Sequence, residues 1–167
     1  MSAESTGPAP PVREVFPYLC VRGAARAIDW YTQVFGARET FRMQEAGGRV
    51  AHAELQLGPA TLMIADEHPE HGIHSPQAFG GTGLTIHLHV QNVDELVERA
   101  AAAGATVLRP PTDYDHGERQ ARLRDPFGHE WLLGHQIESV PPEEIQRRFQ
   151  AEQRDPAPDP TQGDARP

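Results

Sequence analysis

The chain has 167 residues, 38% of them hydrophobic, which suffices for one buried core and is too short for two large independent domains. A formal net charge of −9 disfavours binding to nucleic acid or to an anionic membrane surface. All fifteen basic residues are arginine, so catalysis through a lysine Schiff base is excluded.

The sequence predicts a cytoplasmic protein. No stretch approaches the roughly 20 consecutive apolar residues of a membrane span, and the N-terminal segment MSAESTGPAPP lacks the pattern of a signal peptide. The single cysteine, Cys20, has apolar neighbours, and we expect it to pack in the core. One cysteine allows neither an intrachain disulfide nor a cysteine metal cluster within one chain.

The first half of the chain has the order β-α-β-β-β. Residues 1–12 are rich in Pro and Gly and are predicted to form a disordered tail. Residues 14–21 alternate as a strand, and residues 24–35 carry apolar side chains at helical spacing until Gly36 ends the helix. Three further strands are predicted, separated by glycine-containing turns, at 38–43, 50–57 and 60–65.

The second half repeats this order. A strand at 84–90 and a helix at 93–103 are followed by strands at 106–108, 119–124 and 130–135. The repetition predicts an internal duplication within one domain, 13–138, with modules at 14–66 and 84–137 and a polar linker at 67–83. A short C-terminal helix is predicted at 139–152, and a second disordered tail at 153–167.

Three segments carry a resemblance to a known family: PYLCVRGAARAIDWYTQVFGA, HAELQLGPATLMIADE and DPFGHEW. Their order and spacing resemble the vicinal oxygen chelate superfamily of glyoxalases, bleomycin resistance proteins and dioxygenases, in particular its PhnB-like branch. The resemblance implies an α+β fold in which two tandem βαβββ modules form a curled mixed sheet around a cavity, with helices outside. The DPFG segment also has the residues of a tight turn, whatever its ancestry.

The resemblance also says where a metal would be held. Metal-dependent members have four ligands, on the first and last strands of each module, and the matching positions here are Phe16, Met63, Thr85 and Leu132. Three of these side chains have no donor for a divalent ion, and Thr85 has only a neutral hydroxyl. We therefore expect the usual metal site to be absent and no cofactor to be needed.

A second group of polar residues leaves the metal question open. His52, Glu54, His87 and His89 alternate along two predicted strands and could bind a divalent metal, or His52 and Glu54 could act as a base. The same pattern is typical of the polar face of a half-exposed strand. The linker histidines, His68, His71 and His74, fit a solvated loop, and His116 and Glu118 either rim the cavity or only connect two strands.

These observations favour a protein that binds a small organic molecule, as in antibiotic or toxic-metabolite sequestration. The expected lining comprises Phe16, Tyr18, His52, Glu54, Met63, Thr85, His87 and Leu132. The alternative is an enzyme, either a metal-free lyase or isomerase or a metalloenzyme with the displaced ligand set. By resemblance to the family we expect a homodimer, and we expect no nucleic-acid or membrane partner.

Overall fold

A computed structural model of the chain describes residues 11–154, and all but two residues of each of the tails predicted at 1–12 and 153–167 lie outside the described residues. Within this part of the chain the predicted α+β fold is confirmed. Two compact units divide after Phe79, inside the predicted linker, and each contains one four-stranded mixed sheet. Among the described residues, neither sheet closes into a barrel.

The first unit contains β1 (Tyr18–Val21), α1 (Ala24–Phe35), β2 (Arg38–Gln44), β3 (Val50–Leu57) and β4 (Ala60–Asp66). The strand order is β1-β4-β3-β2, with β1 parallel to β4 and the other pairs antiparallel. The apolar stripe of α1 packs on one face of this sheet, where Leu19, Leu55 and Ile64 are fully buried. The other face carries the polar and aromatic side chains discussed below.

The second unit repeats the arrangement with β5 (Thr85–His89), α2 (Val93–Ala102), β6 (Thr106–Tyr114), β7 (Glu118–Arg124) and β8 (Glu130–Gln136). Its strand order, β5-β8-β7-β6, matches that of the first unit. Helix α2 covers one face, where Ala121, Leu123, Trp131 and Leu133 are fully buried. A third helix, α3 (Pro142–Arg154), follows, and Arg148 ties it to the carboxylate of Glu138 and the carbonyl of Asp115.

In each module, the N-terminus of the helix, α1 or α2, is hydrogen-bonded to a side chain near the end of the last strand. Asp66, the last residue of β4, accepts hydrogen bonds from the backbone N–H groups of Gly23, Ala24 and Val50, each at 2.8 Å. In the second unit, His135 Nδ1 accepts a hydrogen bond from Val93 N. The duplicated modules thus satisfy unpaired helix N–H groups with different side chains from corresponding strands.

Three local predictions need correction. β1 begins at Tyr18 instead of residue 14, so Phe16 precedes the strand, although Pro17 still accepts a hydrogen bond from Met63 N. β6 extends to Tyr114 through Pro110 and Pro111, which an edge strand with register shifts tolerates. The C-terminal helix starts at Pro142, three residues after the predicted start at 139, and continues to Arg154, two residues beyond the predicted end at 152.

The linker between the modules is less irregular than a plain loop. It contains two short 3-10 turns, Pro69–His71 and Pro76–Phe79, and a bridge between His68 and Ile73. Among the described residues, no helix has the length and apolar character needed to cross a membrane.

Candidate functional site

The face of the first sheet away from α1 is rich in exposed aromatic and apolar side chains. The register aligns Tyr18, Met63, Glu54 and Phe41 in one row across all four strands. Two residues further along, Cys20 pairs with Ala65 and Met43 pairs with His52. Tyr18, Phe41 and Met43 are 52%, 47% and 50% exposed. We call the surface formed by this row and these two pairs the aromatic face.

A polar strip crosses the middle of the aromatic face. The Tyr18 hydroxyl lies 2.7 Å from Nδ1 of His52, and Nε2 of the same ring lies 3.4 Å from Oε1 of Glu54. With the proton on Nε2, Tyr18 donates to the imidazole and the imidazole donates to the carboxylate. The ring centroid of His52 is 5.5 Å from that of Tyr18 and 6.1 Å from that of Phe41, so three rings lie side by side.

The hydroxyl and the thiol of this face are both neutral at physiological pH. Burial raises the pKa of Tyr18 above its ordinary value, and the negative charge of the ionised Cys20 thiolate adds to this effect. Burial together with Glu67 and Asp66 raises the pKa of the Cys20 thiol to about 11. Cys20 is half-buried, whereas the sequence predicted a position in the core. Its raised pKa disfavours a nucleophilic role.

The matching face of the second sheet carries a different set of side chains. His87 on β5 pairs with Leu132 on β8, which pairs with Arg122 on β7. In the next row on this face, His89 pairs with Gly134, which pairs with Gln120, so both imidazoles lie on the face away from α2. The two rings are 4.7 Å apart between centroids and meet edge to face. Nε2 of His89 is 3.6 Å from Oε1 of Glu118, which lies further along β7.

Gly134 explains how side chains from strands that are not neighbours meet here. β8 lies between β5 and β7, and a Cβ at Gly134 would lie 2.8 Å from His87 Nε2 and 3.1 Å from Glu118 Oε2. The missing side chain therefore leaves room above β8 for His87 and Glu118 to converge. We call His87, His89 and Glu118 the histidine cluster; their ligand atoms all lie within 4.8 Å of one another.

Neighbouring groups set the ionisation states in the histidine cluster. Burial, followed by the charge of His89, lowers the pKa of His87, so its imidazole is neutral at pH 7. A hydrogen bond from Gln120 to Oε2, at 2.8 Å, holds the pKa of Glu118 below its usual range, with help from the neighbouring histidines. His116 lies 3.9 Å from the same carboxylate and 3.2 Å from the Gln120 amide nitrogen.

The four positions at which the family places its metal do not suit a metal ion here. Phe16, Met63 and Leu132 have no nitrogen or oxygen donor in their side chains. The Thr85 hydroxyl accepts a hydrogen bond from Arg122, whose guanidinium also pairs with Glu130 at 2.5 Å. The Arg122 cation is thus hydrogen-bonded to the Thr85 hydroxyl, which is the one possible oxygen donor among the four side chains. These four residues therefore do not fit a divalent ion.

The predicted site residues are divided between the sheets of the two units. Tyr18, His52, Glu54 and Met63 share the aromatic face, whereas Thr85, His87 and Leu132 lie on the second sheet, where Glu118 joins the histidines. Sequence reasoning missed Phe41, Met43, Gln120 and Gly134. An isolated glycine inside a predicted strand was the available signal, because it often marks a close approach of neighbouring groups.

Comparisons with known proteins agree with the fold. A sequence model of the "Glyoxalase/Bleomycin resistance protein/Dioxygenase superfamily" matches residues 14–133. An uncharacterized protein of Mycobacterium tuberculosis strain H37Rv is 41% identical over 133 residues, which cover 78% of this chain and 78% of the relative. The crystal structure of TioX from Micromonospora sp. ML1 is similar with a TM-score of 0.59 and 31% identity, covering 75% of this chain and 100% of TioX.

A structure of a gene product from Arabidopsis thaliana shares the fold, with a TM-score of 0.61 and 24% identity over 73% of this chain and 98% of that one. The family match covers most of the chain, from before β1 to the middle of β8. The chain therefore belongs to the glyoxalase/bleomycin resistance protein/dioxygenase superfamily, also called the vicinal oxygen chelate superfamily.

Proposed function

We propose that this protein, which we place in the PhnB-like branch, binds a flat, cationic organic molecule against the aromatic face. The observation that carries the proposal is the exposure of Tyr18, Phe41 and Met43 on one side of a sheet whose other side is a normal core. Clustered large apolar side chains at a folded surface commonly mark a site of contact. Aromatic rings are well suited to stacking on a planar ligand.

Charge supports a cationic ligand over an anionic one. Glu54 lies in the middle of the aromatic face, and the whole chain carries a net charge of −9. A carboxylate beside aromatic rings attracts a cation through both its own charge and the negative ring faces. Bleomycin resistance proteins, which give the superfamily part of its name, sequester a cationic antibiotic, and this precedent fits the same reading.

Isothermal titration calorimetry with two probes, metal-free bleomycin and an acridinium cation, tests this proposal. We expect Phe41→Ala to weaken binding about tenfold, because one stacking partner of about 1–1.5 kcal/mol is lost. Glu54→Gln is expected to weaken binding and to reduce its dependence on salt. Phe149→Ala is the matched control, since Phe149 is 52% exposed on α3.

Two outcomes would contradict the proposal. If neither probe binds the wild-type protein at millimolar concentration, the aromatic face is not a site for planar cations. If Phe149→Ala weakens binding as much as Phe41→Ala, the binding is a general property of exposed aromatic residues.

The second candidate is a lyase or isomerase of the same superfamily, and the polar strip favours it. A phenol, an imidazole and a carboxylate in series can move a proton across the face. The test is exchange of carbon-bound protons in D2O, followed by NMR, on the hemithioacetal of methylglyoxal and glutathione. Exchange that is lost in His52→Ala and kept in His71→Ala would favour an enzyme, whereas no exchange with wild-type protein would count against one.

We also propose that the protein is a homodimer, as the family resemblance implies, because members often complete the ligand site from two subunits. Light scattering is expected to give twice the mass of the chain at micromolar concentration. A strictly monomeric species would contradict this proposal without affecting the proposed role of the aromatic face.

A further inference from the structure

We propose that His87, His89 and Glu118 form a binding site for a divalent transition-metal ion such as Zn²⁺. This site differs from the family's usual one, because none of the three residues occupies the positions matched by Phe16, Met63, Thr85 and Leu132. It does not rest on the proposed function, since all its residues lie in the second unit and the aromatic face lies in the first.

The donor set fits such an ion. Two imidazole nitrogens and a carboxylate oxygen are common zinc ligands, with metal–ligand distances of about 2.0–2.2 Å. Donors around one tetrahedral ion are then separated by roughly 3.3 Å. The separation between His89 Nε2 and Glu118 Oε1 is already 3.6 Å, and the widest separation in the cluster is within 4.8 Å. Side-chain rotation on a fixed backbone closes this difference.

The surroundings hold the donors in place. Gln120 donates to Oε2 of Glu118 and so leaves Oε1 as the oxygen that faces His89. Outer hydrogen bonds of this kind orient a ligating carboxylate and raise metal affinity. The strand order places His87 and His89 on β5 and Glu118 on β7, and Gly134 of β8 provides the space between them.

The positive side chains near the site are paired with a carboxylate. The arginines of the same sheet face, Arg124 in the row of Thr85 and Arg122 in the row of His87, are both paired with Glu130. His89 is the more accessible ligand, with a side chain that is 70% exposed, so an ion can enter from solvent. Water completes the coordination of the ion.

Calorimetric titration of Zn²⁺ into the full-length protein, produced without a histidine tag and stripped with a chelator, tests the proposal. We expect one equivalent to bind with a dissociation constant in the micromolar range or below. His89→Ala and Glu118→Gln should each weaken binding at least about tenfold, and their far-UV circular dichroism should match the wild type, because both side chains reach solvent. His71→Ala, an exposed linker histidine, is the control and should bind like the wild type.

Gly134→Ala is the most specific test, because it keeps every metal-binding atom of the cluster and fills only the space above β8. The added methyl group would meet only the flexible ends of His87 and Glu118, so the strand should fold and zinc binding should still weaken about tenfold. Co²⁺ gives a second readout: its visible d–d bands should appear with the wild type and be lost in His89→Ala.

Three results would overturn the proposal. The first is no Zn²⁺ binding by the wild type at 100 μM metal, taken here as roughly a hundredfold above the expected dissociation constant. The second is unchanged binding in both His89→Ala and Glu118→Gln. The third is an equal loss in His71→Ala, which would mean that scattered surface histidines bind the metal. Each leaves the organic-ligand proposal intact, because that proposal is tested on a different face with different probes.

Discussion

The turn between β7 and β8 allows a prediction with a magnitude worked from its contacts. Asp125 is buried, and its Oδ1 accepts hydrogen bonds from the backbone N–H groups of Phe127 and His129 at 2.9 and 3.0 Å. Its Oδ2 accepts a hydrogen bond from Trp131 Nε1 at 2.8 Å. One carboxylate thus satisfies three donors, and Gly128 closes the turn at φ 95°.

The substitution Asp125→Ala removes the acceptor of all three donors. An unsatisfied buried donor costs about 1–3 kcal/mol, so the loss of all three acceptors is expected to lower the unfolding free energy by about 3–9 kcal/mol, with water entry bringing the loss towards the lower end. Asp125→Asn can keep Oδ1 for the two backbone donors but turns an NH2 group towards the indole N–H. We expect this variant to lose about 1–3 kcal/mol and to rank between the wild type and the alanine variant.

Urea denaturation followed by tryptophan fluorescence measures both losses. The chain has two tryptophans, Trp30 in the first unit and Trp131 in the second, so a Trp30→Phe background reports on the second unit alone. Asp113→Ala is a matched control, because Asp113 is 63% exposed and its ion pair with Arg119 is worth about 1 kcal/mol at most. The reasoning is refuted if Asp125→Ala costs less than about 1 kcal/mol or if the asparagine and alanine variants are equally stable.

Two further predictions concern acid stability and backbone strain. Burial opposes ionisation of Glu67, but hydrogen bonds from Ser75 and the Arg22 guanidinium outweigh it and lower the pKa to about 2. The stabilisation that ionised Glu67 gives the folded state is therefore complete above about pH 4.5 and is lost as the pH falls towards 2. Over that interval the wild type should lose more stability than Glu67→Gln, as measured by acid titrations followed by circular dichroism. Gly117→Ala should cost about 2–5 kcal/mol, because Gly117 has φ +89° and a Cβ would collide with the Glu138 carbonyl. Gly36→Ala, at φ +70° with open space around it, should cost only about 1–2 kcal/mol in the same urea experiment, and equal losses would contradict the clash.

The histidine cluster shows why some site residues could be named from the sequence and others could not. His87 and His89 were candidates because alternation along one strand is a local pattern, and their shared face follows from it. Glu118 was considered only as a rim or connecting residue. Its meeting with the histidines depends on the registers of β5 on β8 and of β8 on β7, which are set by contacts between distant segments.

The aromatic face gives a second example. Tyr18, His52, Glu54 and Met63 were expected to line a binding site, and the register places them on one face of the first sheet. Phe41 and Met43 were not expected, because register shifts in the edge strand β2 decide which of its side chains face that way. Phe16 was expected within the first strand, but β1 begins only at Tyr18.

Periodicity, glycine positions and turn residues in the sequence were sufficient to predict the two βαβββ modules, the ends of α1 and the DPFG turn, because each depends on residues close together in the chain. They also predicted that the family's usual metal site is absent, since three of the four matching side chains have no donor for a divalent ion. The tertiary structure decided which polar groups meet, through strand register and through the space that Gly134 leaves above β8. Register is a property of strand pairs, and a single strand's sequence does not contain it.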